Sequence, residues 1–385
     1  MLIYIHVPFC QKKCRYCDFV SGVKTGEEAY LRALYGEAAL YKGMAASERV
    51  TSVFFGGGTP SLLREGAVAE IMSTLSAVFK IADDAEISAE GNPESLTPDK
   101  LAEWKNAGIN RVSVGVQSFS DDVLRAIGRV HDAKQAGRAL TDAVRLFGDV
   151  NADLMTGLPK QTAGQLEYAV RRVAEAGVKH VSCYELKLEE KTKLYEDVLR
   201  GAVELPDENM RADLFDEALD ALSARGFNRY EVSNFAQSSF ECRHNMGYWR
   251  RQNYIGLGPS AASFLETDID IYNDKTIRST AISGIRYVNN PDYAEYLRSG
   301  ESGVFKRESQ PLDKEAALFE TVMLGLRLTD GIDIFEIEQK FGTDFNARFG
   351  AVIKKYEACF VRDGNALRLN RRGFEIMNMI LTDLL

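Results

Sequence analysis

Short runs in which apolar and polar residues alternate recur through the first half of the chain: "LIYIHV", "TSVFF", "AEISAE", "RVSVGV", "VNADLMTGLP" and "HVSCYELKL". A period of two sends successive side chains to opposite faces, so each run predicts a β-strand. Between them, "AVAEIMSTLSAVFK", "PDKLAEWKNAG" and "LEYAVRRVAEAG" carry apolar residues at helical spacing. Strand followed by helix, repeated about six times, predicts right-handed βαβ units on a parallel sheet. Six units fall short of the eight that close a full barrel. The fold class expected is therefore α/β: a partial, three-quarter (β/α)6 TIM-like barrel.

The pattern changes near residue 235, where "CRHNMGYWRRQNYIGLGPSAASF" leads into a polar stretch. A third region follows, with helical runs from "DKEAALFETVMLGLRL" onward, a hairpin signal at "RDGNALRL" and a last helix. This arrangement predicts a smaller, winged-helix-like α+β module at the C-terminus. The expected organisation is a barrel over 1–235, a connecting region over 236–308 and the module over 309–385.

Composition narrows the function. A chain of 385 residues with 45% hydrophobic positions can bury a large core. Net charge is −9, with 47 Lys and Arg against 56 Asp and Glu, which argues against nucleic acid as the partner. No window is long and apolar enough to cross a bilayer and no signal-like segment leads the chain, so a cytoplasmic protein is expected. In that reducing compartment six cysteines rarely form disulfides, and a tight cluster of them points to metal or redox chemistry.

Three of the six lie within eight positions, as Cys10, Cys14 and Cys17 in C-x3-C-x2-C. A structural zinc takes four ligands, and His6 offers a Cys3His alternative. Strand alternation places His6 on the face of Tyr4, toward the barrel interior and away from the loop. Three thiolates on a 4Fe-4S cube leave one iron without a protein ligand, a design suited to binding something else.

C-x3-C-x2-C with Tyr16 before the last cysteine, following a first strand, resembles the signature of radical S-adenosylmethionine (SAM) proteins. The resemblance implies a 4Fe-4S cluster on Cys10, Cys14 and Cys17. Its open iron would chelate the amino and carboxylate groups of SAM, and an electron from the cluster would cleave the sulfonium to a deoxyadenosyl radical. "FFGGGTP" lacks the Lys-Ser/Thr of a nucleotide cradle; read alone it is a tight turn into a helix, with Thr59 as N-cap and Pro60 next. By the resemblance it is the stretch that binds the amino end of the methionine.

"YIHVPFC", "FFGGGTPSLL", "VSVGVQSF", "IGR" and "DLMTGLP" are similar to the anaerobic coproporphyrinogen III oxidase family and more closely to its HemW-type relatives. That likeness implies cofactor contacts at Tyr4, Tyr16, Gly57, Gly58, Thr59, Glu90, Gln117, Arg129 and Asp153, and assigns no catalytic side chain. The oxidase pattern continues with a cysteine where this chain has Phe19, as HemW-type proteins do.

"HNMGYW" fits the H-N-x-x-Y-W motif of HemW-type heme chaperones, which implies a heme-holding role for His244, with Cys242 as a rival axial ligand. The neighbouring aromatics and Arg243, Arg250 and Arg251 suit a flat disc with carboxylate arms. Read without the resemblance, the same stretch is a loop and short helix packing Tyr248 and Trp249 onto the barrel. Cys183 and Cys359 read as core residues, and His131 and His180 as hydrogen-bonding groups.

The expected function is a heme chaperone on a radical SAM scaffold. It would receive heme and hand it to apo-proteins such as respiratory enzymes at the membrane, with peripheral membrane contact and a homodimer both compatible. The alternatives are an oxygen-independent coproporphyrinogen III oxidase and an enzyme that methylates and opens heme.

Overall fold

The computed structural model describes residues 1–42, 48–266 and 282–385. Residues 267–281 of the expected connecting region lie outside the described part. Six parallel strands form the centre: β1 (Leu2–Val7), β2 (Arg49–Gly57), β3 (Lys80–Gly91), β4 (Arg111–Gln117), β5 (Asp149–Thr156) and β6 (His180–Glu185). Each pairs with the next in register order, as in Tyr4 opposite Phe54 and Asp153 opposite Ser182.

The alternation seen in the sequence now has a structural meaning. Ile3, Ile5, Val53, Phe55, Val112 and Leu154 belong to one fully buried core that faces the helices. These helices include α1 (Glu27–Ala39), α2 (Ala67–Val78), α3 (Pro98–Asn106), α4 (Asp121–Ala126), α5 (Ala133–Leu146) and α6 (Ala163–Glu175). The intervening residues, among them Ser52, Glu86, Arg111, Ser113, Asn151 and His180, are polar and also buried, and they line the lumen. A buried polar face is tolerated only when its groups are paired. Asn151 donates to Ser113 Oγ at 2.7 Å and Asp153 Oδ1 at 2.7 Å, and its carbonyl oxygen lies 2.6 Å from His180 Nδ1.

Beyond β6 come α7 (Lys193–Leu199), α8 (Glu208–Ser223) and the short antiparallel strands β7 (Asn228–Arg229) and β8 (Asn234–Ala236). Helix α9 (Arg243–Trp249) then leads into β9 (Tyr254–Leu257), β10 (Ala262–Leu265), β11 (Ile282–Asn289), α10 (Tyr293–Ser302) and β12 (Arg307–Asp313). Among the described residues these build one twelve-stranded sheet, in the order β12-β11-β10-β9-β1-β2-β3-β4-β5-β6-β8-β7, which does not close. The barrel is partial, as expected. The connecting region is a continuation of its sheet, and the expected boundaries at 235/236 and 308/309 fall inside β8 and β12. Strand β9 lies parallel to β1, with Leu2 opposite Tyr254, a pairing far apart in sequence that local patterning does not reveal.

The C-terminal region packs α11 (Lys314–Gly325), α12 (Ile334–Phe341), α13 (Phe345–Lys355), α14 (Arg371–Glu375) and α15 (Met377–Leu384) around a second core containing Val322, Phe345 and Ile380. Its small sheet comprises β13 (Ile332–Asp333) and the hairpin of β14 (Phe360–Asp363) and β15 (Ala366–Leu369). No helix among the described residues is long and apolar enough to cross a membrane.

One buried carboxylate fastens the sheet extension to the barrel. Glu37 on α1 has no exposure and accepts from Gly258 N at 2.9 Å, Asn289 Nδ2 at 2.7 Å, Tyr296 OH at 2.7 Å and Arg307 Nη2 at 2.5 Å. Removing it strands these donors in the interior. Glu37→Leu is expected to lower unfolding free energy by about 3 kcal/mol, measured by urea denaturation; a loss under about 1 kcal/mol would mean the hub carries no such load.

Candidate functional site

The cysteine loop and the ends of several central strands converge on one cavity. Cys10, Cys14 and Cys17 line one cavity together with Tyr16, Gly57, Gly58 and Thr59. The same cavity takes Glu90 from the end of β3, Gln117 from the end of β4, Asp153 from β5, and Arg129. Among the predicted contacts only Tyr4 and His244 stand outside it.

The glycines are required by close approach. Gly57 has φ 103, and a Cβ there would lie 2.6 Å from His6 Nδ1. A Cβ on Gly58 would lie 2.6 Å from Phe9 O, so the backbone after β2 can pass beside the cysteine loop only without side chains. Thr59 occupies the expected N-cap position of the 3-10 turn Pro60–Leu62, with Pro60 next, but its side chain makes no capping bond. It joins a polar arc instead: Thr59 Oγ1 lies 3.7 Å from Cys10 Sγ and accepts from Asn92 Nδ2 at 3.1 Å. Arg129 continues the arc, with Nη2 donating to Asn92 Oδ1 and Gly115 O, both at 2.6 Å, and Nη1 lying 3.5 Å from Cys14 Sγ.

The loop itself is clamped by the residue between two of its cysteines. Arg15 N donates to Ile127 O at 3.0 Å, Arg15 O accepts from Leu194 N at 2.7 Å, and the guanidinium pairs with Asp197 and donates to Ala126 O. Helices α4 and α7 thereby hold the cysteine loop from both sides.

Burial pushes the Cys17 thiol up to about 11, so the unliganded thiol keeps its proton and metal capture there must release it. Glu90 is pushed up to about 8, by burial first and by the neighbouring Asp153 carboxylate second. Asp153 is itself raised by burial, against hydrogen bonds from Asn151, Ser182 and Ser113. Gln117 adopts a left-handed φ of 64, a backbone state rare for this residue type and worth its cost mainly at binding sites. Its Oε1 accepts from Tyr184 OH at 3.2 Å. Two wall residues, Asn92 and Tyr184, were not singled out in the sequence: Asn92 lies within the polar "EGNPES" turn after the third strand and Tyr184 occupies a lumen-facing position of the sixth, which was the available signal.

Tyr4 lines an adjoining cavity, where its hydroxyl lies 3.2 Å from His6 Nδ1. The other His6 nitrogen meets Val20 O at 2.7 Å, so the imidazole is committed away from the thiols, in keeping with the strand-face expectation. His244 is 1% exposed. Its Nδ1 lies 2.8 Å from Ser52 Oγ and its Nε2 lies 2.9 Å from Tyr248 OH, so both nitrogens are occupied. Cys242 is fully buried, with its thiol directed at Glu86 at 3.4 Å. The hydrogen-bonded His244 is what the motif read without the resemblance predicts, and neither His244 nor Cys242 lines the cysteine cavity or the one beside it. Cys183 and Cys359 are core residues, while His131 and His180 make hydrogen bonds.

Residues 4–173 match the radical SAM superfamily and residues 312–376 match the HemN C-terminal domain. The chain is 33% identical to the heme chaperone HemW of Bacillus subtilis, covering 91% of this chain and 89% of that protein. It is 35% identical to the heme chaperone HemW of Mycobacterium tuberculosis, covering 100% and 94%. The mitochondrial radical S-adenosyl methionine domain-containing protein 1 of Bos taurus is 34% identical, covering 100% and 87%. Among solved structures, the coproporphyrinogen III oxidase HemN from Escherichia coli matches with a TM-score of 0.82 at 24% identity, covering 100% of this chain and 89% of that one. At that identity the likeness shows the fold, a partial barrel with a C-terminal module.

The raised Glu90 carboxyl has a consequence for stability. Between its ordinary value of 4.5 and about 8 the folded protein holds a proton that the unfolded chain releases. Its contribution to stability is therefore complete below that window and lost as pH rises through it. Glu90→Gln is expected to flatten this decline in the unliganded protein, measured as unfolding midpoints across the window; an unchanged slope would assign the decline to other groups.

Proposed function

The chain belongs to the HemW family of radical SAM proteins, and on that premise we propose that it is a heme chaperone, binding heme and passing it to heme-requiring apo-proteins, respiratory enzymes at the membrane among them. Superfamily membership implies a 4Fe-4S cluster and SAM. The observation that carries the reading at this site is the convergence of three thiols, from Cys10, Cys14 and Cys17, with the Gly57–Gly58 backbone and the Glu90, Gln117, Arg129 and Asp153 side chains in one cavity.

The donor set suits those groups. Three thiols from one loop hold three corners of a cube, and no fourth cysteine lines the cavity; Phe19 stands there. The cluster, when bound, supplies one-electron reducing power beside the sulfonium. Arg129, already gripping Asn92 and Gly115 O, offers a guanidinium to the methionine carboxylate. Gly57 and Gly58 admit the amino end of the ligand to the backbone. Asp153 and Glu90 set carboxyl groups where ribose hydroxyls and an ammonium need acceptors. Arrival of a cationic ligand favours the ionised form of Glu90, so binding releases a proton near neutral pH.

Anaerobic reconstitution should load about four iron and four sulfide per chain, and Cys14→Ser should abolish that uptake; zinc uptake without iron would sink the cluster assignment. The function is tested by adding hemin, and separately coproporphyrinogen III with a reductant and SAM, to the reconstituted protein. Saturable hemin binding with heme transfer to an apo-cytochrome is expected, and no catalytic formation of protoporphyrinogen. Turnover of coproporphyrinogen III would replace the chaperone reading with the oxidase.

A further inference from the structure

Next to the cysteine cavity lies a second one of about 560 Å³, within the range of roughly 300–1,000 Å³ typical of cofactor pockets. Phe19 lines both, so the two spaces share a wall. The second cavity is built where α9, β9 and β10 meet β1. Its apolar surface comes from Tyr4, Tyr248, Tyr254 and Phe264; Arg286 and Glu320 stand at its charged side, and Arg251 is buried in the wall behind them, paired with Glu320 and Glu266. The tyrosine planes are fixed by one another: Tyr248 meets Tyr254 edge to face at 4.7 Å and 81°. Arg251 lies over the Phe264 ring at 4.3 Å and donates to Glu320 Oε2 at 2.7 Å, while Arg286 holds the other oxygen of the same carboxylate.

We infer that heme is seated in this cavity, packed against Tyr248 and Tyr254 with its carboxylate arms toward Arg286, and that His244 is a positioning residue acting behind Tyr248. This assignment rests on the heme-chaperone reading. The ligand chemistry follows from the lining: aromatic rings suit a flat conjugated disc, and a partly exposed guanidinium, that of Arg286, suits a carboxylate. The position of His244 follows from its contacts. Its ring packs edge to face on Tyr248 at 4.7 Å and 82°, its Nε2 reaches the Tyr248 hydroxyl, and Phe54 covers it at 5.0 Å. Of the H-N-x-x-Y-W residues, Tyr248 reaches the cavity and His244 supports it from the lumen side. Leu324 and Glu320 of α11 also line the cavity, so the C-terminal module closes the seat.

Hemin titration of the reconstituted full-length protein, followed in the Soret band, tests this. Ala262 lines the cavity, and Ala262→Trp fills it; affinity should fall about tenfold or more with cluster loading unchanged. The same substitution at Ala212, in the groove between α8 and the C-terminal module, should leave affinity unchanged. His244→Ala should weaken binding without moving the Soret maximum of the complex. If Ala262→Trp fails to load the cluster, Tyr254→Leu takes its place with the same expectation. Wild-type affinity in the cavity variants, while the unmodified protein binds hemin, would overturn the seat and leave the chaperone reading standing. A Soret shift in His244→Ala that exogenous imidazole reverses makes His244 the axial ligand and overturns its positioning role. Absence of saturable hemin binding by the unmodified protein defeats the chaperone reading itself, and the seat with it.

Discussion

The interior of the partial barrel is polar, and that constraint organises the molecule. Strands with apolar residues on the helix side and Glu, Arg, Asn, Asp, Ser and His on the lumen side bury both faces at tolerable cost where lumen groups find partners, as Asn151, Asp153 and His180 do. At the lower end of the lumen the partner is a helix. Glu86 on β3 accepts from Arg243 N at 2.9 Å and His244 N at 3.1 Å, so a carboxylate from another element caps the start of α9, where exposed N–H groups and the helix dipole favour negative charge. The cap sets α9 in the barrel, and α9 in turn sets Tyr248 in one cavity and delivers Arg251 to Glu320.

The same constraint ties the walls of the cysteine cavity to one another. Cys10 and Cys14 are joined by an arc of neutral and charged donors through Thr59, Asn92 and Arg129, and the residue between Cys14 and Cys17 is clamped by two helices. Preorganisation of this kind lowers the ordering cost of binding. It also shields the ionisable groups from much of the solvent, which is why Glu90 and Asp153 are raised and Cys17 keeps its proton.

Much of this was legible in the sequence because it is written locally. The period of two gave the six central strands, C-x3-C-x2-C gave the thiol loop, and the family likeness of stretches such as "FFGGGTPSLL" and "VSVGVQSF" implied most of the cavity wall. What escaped is non-local. Strand β9 belongs beside β1, yet its four residues carry no mark of that pairing, so the sheet extension read as a connecting region. Tyr184 needed knowledge of which face of β6 is the lumen. His244 was read from the H-N-x-x-Y-W resemblance, and a motif does not show which atoms its histidine meets; here they are Ser52 Oγ and Tyr248 OH.

Phe19 shows how one substitution can divide a function. Where the oxidase pattern has a thiol beside the cluster loop, this chain places a bulky ring that is 59% exposed and lines both cavities. A thiol there could join redox chemistry; a phenyl ring can only shape space and offer apolar surface. Together with Tyr4 it sets aromatic walls against the neighbouring cavity, beyond which Arg251, Arg286 and Glu320 of three different elements meet. The second cavity therefore depends on a module that the sequence presents as separable, because α11 supplies Glu320 and Leu324 to it.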